Sequence, residues 1–187
     1  MALYLKVFKI MVKRIGSPAQ ERARAAFKAG VAFLVPINGL LKKGWADRAR
    51  RKKSLSVSLA LGHVLHTAIK LVDGQPQVDP SKVLLSEGTL APVRLDQINR
   101  YPDRIEVLHH WFRPDFIAGD DSLILCAYQV EKGYAFINEQ LWKRQEGRVI
   151  VPIPDGFQAD GLYLYLMITD RNGHKYGRSQ YLGYSTI

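Results

Sequence analysis

The first clear hydrophobic pattern begins after Ser17 and has the three- and four-residue spacing of an amphipathic helix. Ser17 is a favourable N-cap, Pro18 suits the first helical position, and Gln20 completes a capping box. The small and apolar residues that recur at helical spacing after it are Ala26, Phe27, Gly30, Val31 and Leu34. We expect Pro36 to end or kink this helix, because proline cannot donate the amide hydrogen of an interior helical position.

Two further helical segments follow. The first is the short piece "INGLLKKGW", with Gly44 as its predicted stop. The second is predicted from Ala46 or Ser54 to about Leu71, on apolar positions that again recur at helical spacing. The stretch "DGQPQVDP" after it combines an Asp-Gly pair with two prolines, which is typical of a boundary, and we place the domain junction there.

The first fifteen residues fit two patterns. As a helix, the segment has one basic side, formed by Lys6, Lys9 and Lys13. As a strand, it has one apolar face, formed by Tyr4, Phe8, Ile10 and Val12. Both alternatives stay open, so we predict either a basic strand or an amphipathic helix for residues 1–16.

From Val78 onward the pattern changes to short apolar runs separated by turn residues. Eight candidate strands are "KVLLS", "TLAPVRL", "RIEVLHHWF", "SLILCAYQV", "GYAFINE", "RVIVPI", "GLYLYLMIT" and "KYGRSQYLGY". Short strands at this spacing predict an antiparallel sandwich or barrel. The last two are predicted to form a hairpin, with Asn172 and Gly173 supplying the positive φ values of a tight turn.

These patterns predict an α+β fold with three parts. Residues 1–16 form the basic strand or amphipathic helix, and residues 17–73 form a basic helical region, an N-terminal helical arm. Residues 78–187 form a C-terminal antiparallel β-sandwich of the immunoglobulin-like kind.

Composition is that of an ordinary globular protein, with 47% hydrophobic and 24% charged residues among 187. The single cysteine, Cys126, excludes an internal disulfide framework, and its apolar neighbours predict a buried, inert thiol. No run reaches the ~20 apolar residues of a membrane span, and lysines interrupt the N-terminal apolar run where a signal peptide would be continuous. We therefore expect a cytoplasmic protein, or one assembled in the cytoplasm into a virion-like particle.

The excess of positive charge is confined to the N-terminal part of the chain. Residues 1–53 contain 14 Lys and Arg against two acidic residues, a net charge of +12, whereas residues 54–187 carry −2. Such an asymmetry predicts a basic region with an acidic partner. The cations that we predict to bind a protein partner or a nucleic acid are Arg22, Arg24, Lys28, Lys42, Lys43, Arg48, Arg50, Arg51, Lys52 and Lys53.

Patterns that could carry catalysis are weak. His63 and His66 have a spacing that two metal ligands can use on a helix, but no third ligand follows at a suitable distance. Asp120 and Asp121 lie in "AGDDS", where Asp is a favoured turn residue. The sequence has no nucleophile elbow, phosphate-binding glycine loop or zinc-protease helix. We therefore predict no enzyme activity, no catalytic or metal-binding residue and no cofactor.

Two resemblances accompany these patterns. The segment "VPIPDGFQADGLYLYLMITDRNGHKYGRSQYLG" resembles the last strands of an immunoglobulin or fibronectin type III sandwich. That resemblance implies Tyr163 or Tyr165 in the tyrosine-corner region and Trp111 as a core tryptophan, although the usual Cys pair is lacking.

A wider resemblance covers about Ser17 to Gly183. Through "SPAQERARAAFKAGVAFLVPINGLLKKGW", "VDPSKVLLSEGTLAPV", "GDDSLILCAYQ" and "GRSQYLG" the chain resembles an uncharacterised domain family of Bacteroidota. Members of that family begin with a glycine-rich segment that this chain lacks. The family has no known activity, so the resemblance implies a layout and no function.

Together these features predict a non-enzymatic structural or assembly protein whose basic helical arm docks on an acidic partner surface. Immunoglobulin-like modules in small basic proteins serve in large assemblies such as phage virions, which by analogy makes a virion component a candidate. The alternative is a nonspecific nucleic-acid-binding protein that uses the Arg48–Lys53 cluster, since no sequence-specific recognition motif accompanies it. A protein partner or self-assembly is expected first, with neither a membrane contact nor a small-molecule substrate.

Overall fold

The computed structural model describes residues 16–111, 118–138 and 140–185. Helices occupy the N-terminal part of this range and antiparallel sheets the remainder, which confirms the predicted α+β class. The strand or helix predicted for residues 1–16 lies outside the described residues, except for Gly16.

The first helix, α1, runs over Pro18–Leu34 and begins with the predicted capping box. The Ser17 hydroxyl accepts a hydrogen bond from the Gln20 amide at 3.4 Å, and the Gln20 side chain accepts one from the Ser17 amide at 3.1 Å. Pro36 ends α1 but does not end the helical path: the 3-10 turn Val35–Ile37 leads directly into α2, Asn38–Gly44. Proline is tolerated there because a first-turn amide has no intrahelical acceptor.

The single helix predicted to reach Leu71 is instead several elements. Helix α3 spans Ala46–Lys52, and Lys53 ends it in the left-handed region with φ 49° and ψ 44°. Helix α4 spans Ser56–His63 and continues as one π-helical turn over Val64–Ala68. The helical region predicted for residues 17–73 therefore ends at Ala68.

Strand β1, Ile69–Val72, and strand β2, Gln75–Val78, form a hairpin where we had predicted the end of a helix and a domain junction. Its two-residue turn places Asp73 at φ 51° and Gly74 at φ 74°, values that suit an Asp-Gly pair. The Asp-Gly pair is the turn of a hairpin that packs against α1, and the domain junction stays a prediction.

The remaining strands form two antiparallel sheets. A three-stranded sheet has the order β3, Arg94–Tyr101; β4, Arg104–His110; and β8, Arg148–Pro152. The larger sheet has the order β10, Gln180–Ser185; β9, Leu162–Thr169; β5, Ser122–Gln129; and β6, Tyr134–Ile137. The two-residue strand β7, Trp142–Lys143, also pairs with β5.

The larger sheet lies between the helices and the smaller sheet. Along β5, Leu125 and Ala127 belong to the core shared by the two sheets, whereas Cys126 and Tyr128 belong to the core shared with the helices. This alternation is what a strand buried on both faces requires. The helical part is therefore a layer on the sheet rather than a projecting arm, and the immunoglobulin-like assignment stays a prediction.

Cys126 is fully buried, as predicted, and burial raises the pKa of its thiol to about 12. The tryptophan in the core between the two sheets is not the one that the immunoglobulin resemblance implied. Trp142 is buried between the sheets at 8% exposure, whereas Trp111 is only half-buried.

Two of the eight predicted strands were wrong in large part. The segment "KVLLS" buries Val83 and Leu85 in the alternating manner of a strand but joins no sheet. Its amides are satisfied elsewhere: Leu85 N donates to the Ser179 hydroxyl at 2.8 Å. "TLAPVRL" contributes only its last two residues to β3, which continues to Tyr101.

The C-terminal hairpin is present, with β9 and β10 paired from Leu162↔Ser185 to Leu166↔Gln180. Its turn is longer than predicted: residues 170–179 separate β9 from β10, and Gly173 has a positive φ but Asn172 does not. The Asp170 carboxylate orders this turn by accepting hydrogen bonds from the amides of His174 and Lys175, at 2.7 and 2.9 Å.

Candidate anion-binding surface

Helix α3 is anchored by Trp45 and Ala49, which are 2% and 5% exposed. The Trp45 indole Nε1 donates a hydrogen bond to the carbonyl oxygen of Leu84 at 3.3 Å. Residues four apart lie on the same face of a helix, so Trp45 and Ala49 mark the buried face. The basic residues between and after them therefore lie toward solvent. The local sequence thus fixes which side of α3 is basic.

Three arginines of α3 are held by two carboxylates. Arg48 forms an ion pair with Glu87 and lies over the Trp45 ring, with Cζ 5.7 Å from the ring centroid. Arg50 and Arg51 both bind Asp47, at 2.7 and 2.9 Å. Exposed pairs of this kind contribute little stability, so their main effect is to orient the guanidinium groups.

Lys52 and Lys53 have no ion pair with any of the residues that the structure describes. Both are exposed at the end of α3, and Leu55, two residues after Lys53, is an apolar side chain that is 75% exposed. The end of α3 therefore presents free cations beside an apolar residue.

Three adjoining clefts surround α3. The first, of about 440 Å³, joins Arg50 and Arg51 to His174, Lys175 and Tyr176 of the β9–β10 loop. The second, of about 500 Å³, is lined by Arg48, Lys52 and Arg178 together with residues of α4, and we call it the Trp45 cleft after the residue at its base. A third cleft, of about 390 Å³, shares Arg48, Arg51 and Lys52 with the other two.

The shared residues make the clefts one continuous basic region. We call it the α3 basic surface, and its cations are Arg48, Arg50, Arg51, Lys52, Lys53, Lys175 and Arg178. Against these seven cations stand two carboxylates, Asp47 and Glu87. Half of the predicted cations, Arg48 to Lys53 of α3, thus belong to the α3 basic surface.

The other predicted cations lie on different elements. Arg22, Arg24 and Lys28 are exposed on α1, whose neighbours include β2 and α4. Lys42 and Lys43 are exposed in the last turn of α2. None of these five lines the three clefts around α3.

Sequence reasoning missed Lys175, Arg178 and the neighbouring His174. They reach α3 because the chain around Gly88 runs against the chain around Tyr176: the Leu90 amide donates to the Tyr176 carbonyl oxygen at 3.3 Å. A Cβ atom at Gly88 would collide with that same carbonyl, so only glycine permits the approach. No local pattern in the sequence signals this contact.

His63 and His66, the candidate metal pair, both line the Trp45 cleft. His63 Nε2 lies 3.1 Å from the Thr67 hydroxyl and 3.3 Å from the Lys82 carbonyl oxygen. Burial lowers the pKa of His63, and the charges of Arg178 and Arg48 lower it further. Among the described residues, no three His, Cys, Asp or Glu side chains are grouped so that they could hold a metal ion.

Asp120 and Asp121 lie in the predicted turn, but Asp121 also has a buried partner. Its carboxylate is 3.6 Å from Arg144, and both side chains are almost fully buried. Burial raises the pKa of Asp121. Nearby His109 is 3% exposed with neither ring nitrogen hydrogen-bonded, and burial lowers its pKa.

The helical stretch Pro18–Gly44 is long and apolar enough, by length and composition, to cross a membrane. The sequence predicts no such stretch, because no run reaches the ~20 apolar residues of a membrane span. A core helix of a soluble protein meets the same criterion, and α1 and α2 bury Phe33, Leu34, Leu40 and Leu41 against the sheet. The helix criterion therefore does not indicate where the protein resides.

Comparison with models of protein families, with curated proteins and with solved structures found no match to this chain. The resemblances to the Bacteroidota family and to immunoglobulin-like sandwiches therefore stay predictions. The α3 basic surface is the feature of this chain that bears on function.

Proposed function

We propose that this chain is a non-enzymatic binding protein whose α3 basic surface docks on an acidic surface of a protein partner, as a subunit of a larger assembly would. The observation that carries the proposal is the convergence of six cations that line adjoining clefts, with Lys53 beside them at the end of α3, and two carboxylates, a net charge of +5. A surface of one sign recruits and orients a partner of the opposite sign.

Two features favour a protein partner over a nucleic acid. Asp47 and Glu87 lie among the cations and would repel a phosphate backbone, whereas an acidic protein can place its carboxylates between them. The exposed Leu55 beside Lys53 offers an apolar contact of the kind that protein interfaces contain. The predicted alternative, nonspecific binding of nucleic acid, is the competing outcome of the experiment.

The test is fluorescence anisotropy with a labelled polyglutamate peptide, titrated from about 50 to 300 mM salt. We expect binding that weakens with salt. A triple variant, Arg50→Gln, Arg51→Gln and Lys175→Gln, should lower the affinity at least about tenfold because it removes the cations of one cleft. The matched control, Arg22→Gln, Arg24→Gln and Lys28→Gln, removes the same charge from α1 and should change the affinity less than about twofold.

The outcomes separate the alternatives. An equal loss in both triple variants would mean that only net charge matters, and the proposed docking surface would be wrong. Random double-stranded DNA that binds more tightly than polyglutamate, and loses affinity through the same three cations, would establish the nucleic-acid alternative. No binding to either polymer at about 0.15 M salt would contradict both.

A further inference from the structure

The Trp45 cleft has features that a surface for protein docking does not need. It lies between α3, α4 and the chain around Leu84, and its volume is about 500 Å³, which is the size of a small-molecule site. Its charged lining is formed by Arg48, Lys52, Arg178 and Glu87, a net charge of +2 with neutral histidines. The inference drawn from it goes beyond the proposed function and does not depend on it.

The Arg48 guanidinium is fixed by its neighbours and still has unused hydrogen-bond donors. Glu87 binds its Nη1 atom, the Trp45 ring lies 5.7 Å from its Cζ atom, and a third of the side chain is exposed. Among the described residues, no other partner is seen for its remaining N–H groups. A guanidinium fixed by a carboxylate, with donors to spare, is preorganised for a planar or tetrahedral oxyanion.

Lys52 and Arg178 complete the charged part of the cleft. Neither forms an ion pair with a described residue, and both are exposed. The positive charges of Arg178 and Arg48 both act on the His63 ring, so the two guanidinium groups lie within electrostatic reach of one imidazole. An anion in this space would interact with three cations and two imidazole rings.

Part of the lining of the cleft is apolar. Leu59 and Leu84 are half-buried and line it together with the edge of Trp45. A ligand with one strongly charged end and a small organic body would match both parts. A single carboxylate would leave one positive charge of the cleft uncompensated, whereas a dianion neutralises the net charge of +2.

We propose that the Trp45 cleft binds a phosphomonoester, with its phosphate among Arg48, Lys52 and Arg178 and its organic group against Leu59 and Leu84. The phosphate accepts hydrogen bonds from the two guanidinium groups and the ammonium group. Ser58, exposed on the α4 side of the cleft, is a further donor.

The experiment is isothermal titration calorimetry of the whole chain with phenyl phosphate at about 50 mM salt, where electrostatic attraction is weakly screened. We expect a dissociation constant below about 1 mM, and much weaker binding of benzoate, which has the same ring and a single charge. A short phosphoserine peptide forms a second arm, and comparison of its affinity with that of phenyl phosphate shows whether the phosphate comes from a modified protein or a small molecule. In NMR, the Trp45 indole N–H signal should shift on binding.

Charge substitutions of opposite sign locate the site. Arg178→Gln should weaken phenyl phosphate binding at least about tenfold. Glu87→Gln should strengthen it, because the amide oxygen of Gln can still accept a hydrogen bond from Arg48 while the negative charge of the cleft is removed. Lys175→Gln is the matched control, since Lys175 is an exposed cation of the α3 basic surface that does not line this cleft. Arg178 is exposed, so circular dichroism should show that its variant is folded.

Three results would overturn the proposal: no heat of binding up to about 5 mM phenyl phosphate, benzoate affinity equal to that of phenyl phosphate, or equal losses in Arg178→Gln and Lys175→Gln. Arg50, Arg51 and Lys175, on which the polyglutamate experiment depends, do not line the Trp45 cleft. The proposed function and the phosphate site can therefore fail separately.

Discussion

The amide of Glu87 donates a hydrogen bond to the carbonyl oxygen of Gly44 at 3.1 Å. This bond joins the end of α2 to the extended segment after Leu85, and it places the Glu87 carboxylate where Arg48 of α3 can reach it. The orientation of the basic surface therefore depends on a backbone contact between two segments about forty residues apart in sequence.

Gly44 should be intolerant of a side chain. A Cβ atom there would collide with the Leu85 carbonyl oxygen and come within 2.6 Å of the Ser86 Cβ. We expect Gly44→Ala to lower the free energy of unfolding by about 3 kcal/mol, because backbone atoms cannot yield as a flexible side chain can. Urea denaturation measures the change.

Gly39 provides the control within the same helix. Nothing lies within 4 Å of a Cβ atom built there, and the residue is exposed. Gly39→Ala should therefore raise the free energy of unfolding by about 0.5–1 kcal/mol through helix propensity. A loss of stability in Gly39→Ala as large as that in Gly44→Ala would contradict the steric explanation.

Replacement of Lys53 by glycine should be tolerated without loss of stability. Lys53 ends α3 at φ 49°, a conformation that costs most residues with a Cβ atom about 1 kcal/mol or more relative to glycine. We expect Lys53→Gly to leave stability unchanged or raise it slightly, and Lys53→Val to lower it by about 1 kcal/mol or more. Thermal unfolding of the two variants compares them directly, and equal melting temperatures would show that the left-handed conformation is not required.

Asp47 should lower the affinity of the α3 basic surface for an acidic ligand. Its carboxylate holds both Arg50 and Arg51, so Asp47→Asn releases two guanidinium groups and removes one negative charge. We expect a several-fold gain in polyglutamate affinity, measured by the same anisotropy assay. An unchanged affinity would show that these arginines do not contact the ligand.

Loss of one member of the buried pair Asp121 and Arg144 should destabilise the fold more than replacement of both. Both residues are at most 5% exposed, and Asp121→Ala leaves the guanidinium without its carboxylate. The free energy of unfolding should fall by about 3–5 kcal/mol, whereas the double variant Asp121→Ala with Arg144→Met should recover part of that loss. Chemical denaturation of the wild type and the two variants measures these differences, and a double variant less stable than Asp121→Ala would contradict the prediction.

Stability should fall as the pH is lowered below the ordinary pKa of histidine. The pKa of His109 is lowered in the folded state by burial, so below about pH 6.5 the unfolded chain binds a proton that the folded chain does not. The loss is about 1.4 kcal/mol for each unit by which the pKa is lowered, over the window between the folded and unfolded pKa values.

The measurement is the free energy of unfolding at about pH 7.5 and 5.5 for the wild type and for His109→Gln, whose side chain does not titrate. The variant should depend less on pH. Asp121 acts in the opposite direction, because its pKa is raised, but it is present in both proteins and cancels in the comparison. Identical pH dependence in both proteins would show that His109 is protonated equally in the folded and unfolded states.

Local chemistry was enough to predict several elements from the sequence. The Ser17 capping box positions the start of α1, because caps act through backbone groups within one turn of the helix end. Gly44, the predicted stop, is the last residue of α2. The strands of the larger sheet were recognisable for a similar reason, since long apolar runs such as β5 and β9 are buried on both faces. The basic face of α3 follows from its own periodicity.

Only the tertiary structure decided what α3 faces. Lys175, Arg178 and Glu87 reach it through contacts between the chain around Gly88, the chain around Tyr176 and the end of α2. Those contacts depend on glycines and backbone carbonyls, which leave no periodic signal in the sequence. The Asp-Gly turn was likewise ambiguous, because the same dipeptide ends a domain or closes a hairpin, and the choice is made by the packing of β1 and β2 against α1.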